Sequence, residues 1–131
     1  MKKIQIIIKV LKNNLQKKRK NVWENIVQKI LIQINQGNES SKSGFNNNLG
    51  DYFEELLSLS NINILGLMSI PPFTEPARPF FVSLRKLRDE LESQFNIILR
   101  YLSMGMSGDF EEAVEEVSTH VRVGTSIFGK R

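Results

Sequence analysis

The residues best suited to chemistry sit in two short segments near the C-terminus, Ser103-Met104-Gly105-Met106-Ser107-Gly108-Asp109 and Arg122-Val123-Gly124-Thr125. Each belongs to an apolar run that ends in small residues and hydroxyls. Gly105 and Gly108 would let the main chain approach an anion, and Ser103 and Ser107 would donate to it. A helix opening at Asp109 would add its N-terminal N–H groups and positive dipole end. That combination suits a phosphate group, and the loops after the last two strands of a (β/α)8 barrel are a recurring phosphate site. The same residues also fit an ordinary strand-to-helix loop capped by Asp109, paired with Glu112 three residues on.

Arg122 is the sharper signal. In His120-Val121-Arg122-Val123-Gly124 a period of two sends Val121 and Val123 toward one face and His120, Arg122 and Gly124 toward the other. A guanidinium on the interior face of a barrel needs a partner, because an isolated buried charge is expensive. A barrel carboxylate and a bound ligand both satisfy that need. Gly124 and Thr125 add two backbone N–H groups and a hydroxyl at the strand end.

The elements that must position these residues alternate. Helical spacing over 4–20 places Ile4, Ile7, Ile8, Leu11 and Leu15 on one side and lysines on the other, and 21–28 reads as a connection. Ile30–Asn35 reads as a strand, 36–48 as a polar loop and Leu49–Leu59 as a helix with Leu49, Phe53, Leu56, Leu57 and Ser60 on its repeating face. Ile62–Ser69 reads as a second strand, stopped by Pro71-Pro72. Phe80, Leu84, Leu87, Leu91 and Phe95 make a helical stripe over 79–95. Ile98–Ser103 is the third strand, Phe110, Ala113, Val114 and Val117 face inward from the next helix, and His120–Gly124 is the fourth strand. The alternation predicts an α/β fold, a partial (β/α)8 TIM-like barrel of about four parallel strands with crossover helices.

The segments SMGMSGDFEEAVEE and HVRVGTSIFGKR resemble the C-terminal signature of the pyridoxal phosphate homeostasis proteins, single-domain barrels like that of alanine racemase. Lys29–Phe45 (KILIQINQGNESSKSGF) resembles that family's fifth strand and loop, and Gly66–Phe73 (GLMSIPPF) its sixth, with Met68 near the mouth. The resemblance implies a cofactor, pyridoxal 5'-phosphate (PLP). It implies that Ser107, Gly124 and Thr125 bind the phosphate, with Ser103 and Gly105 in the same segment, and that Arg122 faces the pyridine nitrogen. An arginine there disfavours protonation of that nitrogen and weakens the ring as an electron sink, which suits a carrier and not an enzyme. Gln33 and Asn35 would reach the barrel interior or be satisfied within the core.

In that family the aldehyde-binding lysine belongs to the first barrel strand, in a Val-Ser-Lys-type motif, which has no counterpart here. Lys42 matches a different lysine, on the loop after the fifth strand, and reads as solvated. The resemblance is carried by 29–131, the C-terminal half of a barrel, with 1–28 as a basic helical segment and connection. Two readings follow: a PLP-binding homeostasis protein, or a C-terminal piece of a longer or split protein that binds no PLP by itself. A half barrel leaves sheet edges open to a partner chain or to self-association.

Bulk properties exclude several classes. The chain has 131 residues and no cysteine, so disulfide and thiolate chemistry are absent. Its formal charge of +4 is uneven: residues 1–29 hold nine Lys/Arg against Glu24, whereas 30–131 hold nine basic and thirteen acidic residues. Lys17-Lys18-Arg19-Lys20 reads as a solvated helix end and not a nucleic-acid contact. His120 is the single histidine, which argues against a His-based metal cluster or triad. Glu111-Glu112 and Glu115-Glu116 read as a solvated helix face, and Met104 and Met106 as packing residues. Gln5 and Lys9 interrupt the N-terminal apolar run, so neither a signal peptide nor a membrane span is expected, and the expected compartment is the cytoplasm.

Overall fold

A computed structural model describes residues 27–37, 43–46 and 48–130. The expected helix over 4–20, the expected connection over 21–28 except its last two residues, and Lys42 lie outside the described residues; Gln28 already belongs to the first strand. The elements alternate as β1 (Gln28–Ile34), α1 (Gly50–Leu57), β2 (Ile62–Ser69), α2 (Arg78–Phe95), β3 (Tyr101–Met106), α3 (Phe110–Glu115), β4 (His120–Arg122) and α4 (Thr125–Phe128).

The four strands form one sheet in the order β1-β2-β3-β4, and every pair is parallel. Strand order therefore follows chain order without reversal. Right-handed crossovers that always step the same way put every connecting helix on the same side of the sheet. Such single-sided winding is an arc of a (β/α) barrel and not a doubly wound sheet, whose strand order reverses.

Register sorts the side chains. Ile32, Leu67 and Leu102 are cross-strand partners and form one buried row. Phe53 and Leu56 from α1, Phe81, Leu84 and Leu91 from α2 and Ala113 from α3 cover it. The rings of Phe53 and Phe95 join α1 to α2 with centroids 5.1 Å apart. Burial of each large apolar side chain is worth about 1.5–3 kcal/mol, so this layer carries the stability. On the opposite face Gln33, Met68, Ser103 and His120 form a second row, the one that faces the interior of a barrel.

Several boundaries differ from the sequence reading. Phe81, not Phe80, takes the deepest place on α2, because apolar spacings of three and four leave the phase uncertain by one residue. Leu59 enters the core where Ser60 was expected, and Leu57 is exposed. On α3 only Ala113 is buried and Val114 is exposed; the helix ends at Glu115, and Val117 beyond it is exposed as well. β3 starts at Tyr101 instead of Ile98. Asn96 ends α2 in the left-handed region (φ 50°), and the Leu99 N–H donates to Glu92 Oε1 at 2.6 Å instead of to a strand. β3 also runs past Ser103 to Met106, so Gly105 lies in a strand and not in the loop. β4 ends at Arg122, and Gly124 caps the short α4, which periodicity did not reveal.

Candidate functional site

The site is built where β3 and β4 end. Ser103 pairs with His120 and Met106 with Arg122, so three steps on β3 match two on β4. The extra residue makes a bulge, with Gly105 at φ +98°. A Cβ on Gly105 would lie 2.6 Å from Ala113 Cβ. The glycine thus lets α3 pack on β3, a different reason for a glycine there than the anion approach expected from sequence. Gly108 and Gly124, by contrast, have open space where a Cβ would stand.

Asp109 shapes the connecting loop from inside. Its N–H donates to the Met106 carbonyl at 3.1 Å, and its Oδ1 accepts from the Met106 N–H at 2.7 Å. It makes no side-chain cap to α3, so the expected Asp109–Glu112 capping pair does not form. Closing the loop on itself competes with capping and wins here.

Ser107 is carried by that loop to the start of α4. Its Oγ accepts from the Gly124 N–H at 3.2 Å and the Ser126 N–H at 3.3 Å. Ser107, Gly124 and Thr125, selected from sequence, are therefore brought together, and the Thr125 side chain is exposed beside them. Ser126 was missed, because a four-residue helix carries no periodic signal. Two backbone N–H groups converging on one oxygen, with open space at Gly108 and Gly124, match the donor set that a phosphate oxygen requires.

Arg122 is on the interior face, as the alternation predicts, while Val121 turns toward Gly105 and α3. Its partners are neither a carboxylate nor an ordered charge. Nη1 donates to Ser103 Oγ at 2.5 Å, and Nη2 to the carbonyl oxygen of Ser69 at 2.8 Å. Burial lowers its pKa from the ordinary arginine value, and the charge of Asp109 partly opposes that. The group stays cationic at neutral pH. Because both acceptors are neutral, its charge is not cancelled where it is held. Ser69 was not singled out from sequence; its hydroxyl is buried with no partner and its carbonyl does the work.

Further into the same face, the Tyr101 and His120 rings meet edge to face at 5.0 Å, and His120 Nδ1 lies 2.9 Å from Thr119 Oγ1. Met68 and Gln33 are half-buried in the row beside Ser103. On the other side of the Met106–Asp109 loop lies a cleft of about 300 Å³ lined by Ile70, Pro72, Phe73, Glu75, Asp109 and Glu112. Its carboxylates make it unfit for an anion. No group of three or more His, Cys, Asp or Glu residues able to hold a metal is found among the described residues. No described helix is long and apolar enough to cross a membrane.

A family model described as alanine racemase, N-terminal domain, matches residues 2–131. The pyridoxal phosphate homeostasis protein of Aquifex aeolicus (strain VF5) is 52% identical over 111 residues, covering 82% of this chain and 49% of that protein. The human protein of the same name is 40% identical over 111 residues, covering 79% of this chain and 40% of its own length. Among solved structures, PipY of Synechococcus elongatus PCC7942 without PLP superposes with a TM-score of 0.71 at 34% identity, covering 77% of this chain and 49% of PipY. PipY with PLP bound gives 0.67 at 33% identity over the same shares. The chain thus spans about half the length of the relatives it matches.

Proposed function

The chain belongs to the alanine racemase N-terminal-domain family, and from that premise we propose that it binds pyridoxal 5'-phosphate and serves intracellular PLP homeostasis as a carrier, not as an enzyme. The observation that carries this reading is the convergence of the Gly124 and Ser126 N–H groups on Ser107, beside a cationic Arg122 with neutral partners only. The first cluster fits a phosphate. Arg122 fits the aromatic nitrogen of a ring joined to it. PLP bound in solved PipY supports the same pairing of fold and ligand.

In this reading Ser107, Gly124, Thr125 and Ser126 hold the phosphate, and Arg122 donates to the ring nitrogen. Bound PLP supplies a reactive aldehyde and an electron-withdrawing ring. Arginine cannot give up its proton at neutral pH, so it keeps the ring nitrogen an acceptor and that withdrawal weak. Such a site stores the cofactor without driving amino-acid chemistry. Among the described residues no lysine lies at this end of the sheet's interior face. Lys29 stands near the opposite end of β1. The reading places the protein in the cytoplasm, away from membrane and nucleic acid.

A second reading rests on the coverage of about half of each relative. It makes this chain one part of a barrel that binds PLP only when another chain, or a second copy, pairs with the edges of β1 and β4.

Spectrophotometric titration of the full chain with PLP, backed by equilibrium dialysis, tests both. Saturable binding that Arg122→Ala and Thr125→Val weaken supports the first. No binding by a folded chain at any attainable concentration sinks it and leaves the second.

A further inference from the structure

The two contacts of Arg122 give Ser103 a role other than ligand binding. Ser103 is a register partner of Met68 on β2 and of His120 on β4, on the face that Arg122 shares. It is buried, with 7% of its surface exposed. Its Oγ accepts from Nη1 of Arg122 at 2.5 Å. The second fixed point is the carbonyl oxygen of Ser69, which accepts from Nη2 at 2.8 Å.

That carbonyl lies one residue beyond Met68↔Ser103, the last register pair between β2 and β3. No β3 partner stands opposite Ser69, and Arg122 supplies a donor there from the next strand over. A guanidinium is planar, and its donors form a rigid fork. One contact leaves such a group free to swing about the bond; contacts to both Nη atoms fix its plane. Asp109 acts on the arginine through its charge, but it is tied to the Met106 N–H and forms no ion pair with Arg122.

We propose that Ser103, together with the Ser69 carbonyl, is a positioning residue for Arg122: it holds the guanidinium plane ready for the ligand and does not itself touch the cofactor. The consequence for PLP rests on Arg122 facing the ring nitrogen; the lock itself does not. Locking the group before the ligand arrives spares its ordering on binding, and it aims the remaining N–H groups in one direction.

Arginine side-chain NMR of the full chain labelled with ¹⁵N tests the lock without any cofactor. The wild-type Arg122 guanidinium should give separate, slowly exchanging Nη proton signals. Ser103→Ala, and the near-isosteric Ser103→Cys, should merge or lose the Nη1 signals, and Ser103→Thr should keep them. Retention of wild-type signals in both Ser103→Ala and Ser103→Cys would overturn the proposal. Titrations with PLP and with inorganic phosphate then separate positioning from direct contact. Ser103→Ala should weaken PLP by about tenfold, the worth of one hydrogen bond to a charged group. It should weaken inorganic phosphate far less. Equal losses for both ligands would put Ser103 on the phosphate and count against the proposal. A wild-type chain that shows the locked signals but takes up no PLP would sink the cofactor reading and leave the lock standing.

Discussion

Arg122 on β4 donates to the carbonyl oxygen of Ser69 on β2 at 2.8 Å, reaching across the end of β3 between them. One side chain thus ties three strands together where the sheet meets its loops. The same guanidinium is the strongest candidate for recognising a ligand. Stability and binding are therefore coupled at this residue.

Arg122→Met should expose that coupling. Methionine fills similar space but leaves the Ser69 carbonyl and Ser103 hydroxyl without their donor. A loss of about 1–3 kcal/mol is expected for such unsatisfied groups, read as a lower urea midpoint at unchanged slope. PLP affinity should fall in the same variant. An unchanged midpoint would mean that water replaces the guanidinium freely.

Ser107→Ala separates the phosphate cluster from the fold. The hydroxyl accepts two backbone N–H groups at an exposed loop, so its removal should change stability by less than about 1 kcal/mol. Affinity for inorganic phosphate should drop by about tenfold, the value of one charge-assisted hydrogen bond. Isothermal titration of wild type and variant compares the two directly, and equal affinities would remove Ser107 from the site.

Gly105→Ala and Gly108→Ala form a matched pair. At Gly105 the new methyl meets Ala113 at 2.6 Å in a backbone conformation that L-residues avoid. A loss of about 2–4 kcal/mol is expected from overpacking and strain together. At Gly108 the methyl enters open space, and thermal unfolding should shift little. Equal shifts for the two variants would contradict the bulge.

Glu116 gathers two arginines from α2. Its carboxylate accepts from Arg85 at 3.1 Å and from Arg78 at 3.4 Å, while Arg78 also pairs with Glu115. The glutamate is largely shielded, but the arginines are partly open to solvent, so the network is worth only about 1 kcal/mol. Glu116→Gln should lower stability by that amount at low ionic strength and by less in molar salt. Salt-independent destabilisation would assign Glu116 a packing role instead.

The outer edge of β4 tests self-association. Val121 on β4 and, in the segments that flank that strand in the chain, Val117, Ile127 and Phe128 are exposed. An apolar strand edge invites pairing with another chain. Sedimentation velocity should show concentration-dependent association, reduced by Val121→Lys. A chain that stays monomeric and folded at high concentration would refute pairing with a second copy and leave only a different chain as the partner.

Much of this architecture was legible in the residues alone. The alternation of elements, the extent of β2 and the inward direction of Arg122 all follow from periodicity, because a strand's period of two and a helix's 3.6 are local properties of the backbone. Local pattern also picked out the two strand-end segments that hold Ser107, Gly124 and Thr125, since strand ends in a parallel sheet deliver their loops to one side; the family resemblance grouped those three residues. The phase of α2 and the start of β3 were not legible. Phe80 and Phe81 are adjacent and equally apolar, and only packing on the sheet selects Phe81.

What the sequence determined by itself is the kind of fold and the inventory of groups at its end: a singly wound parallel sheet, a hydroxyl-rich loop and one interior arginine. Only the tertiary structure decided whom that arginine holds. Ser69 lies 53 residues away in the chain, and neither its carbonyl nor the β3 bulge leaves a mark in local pattern. Register between strands is set by how whole faces pack, and a backbone acceptor is the same atom in every residue.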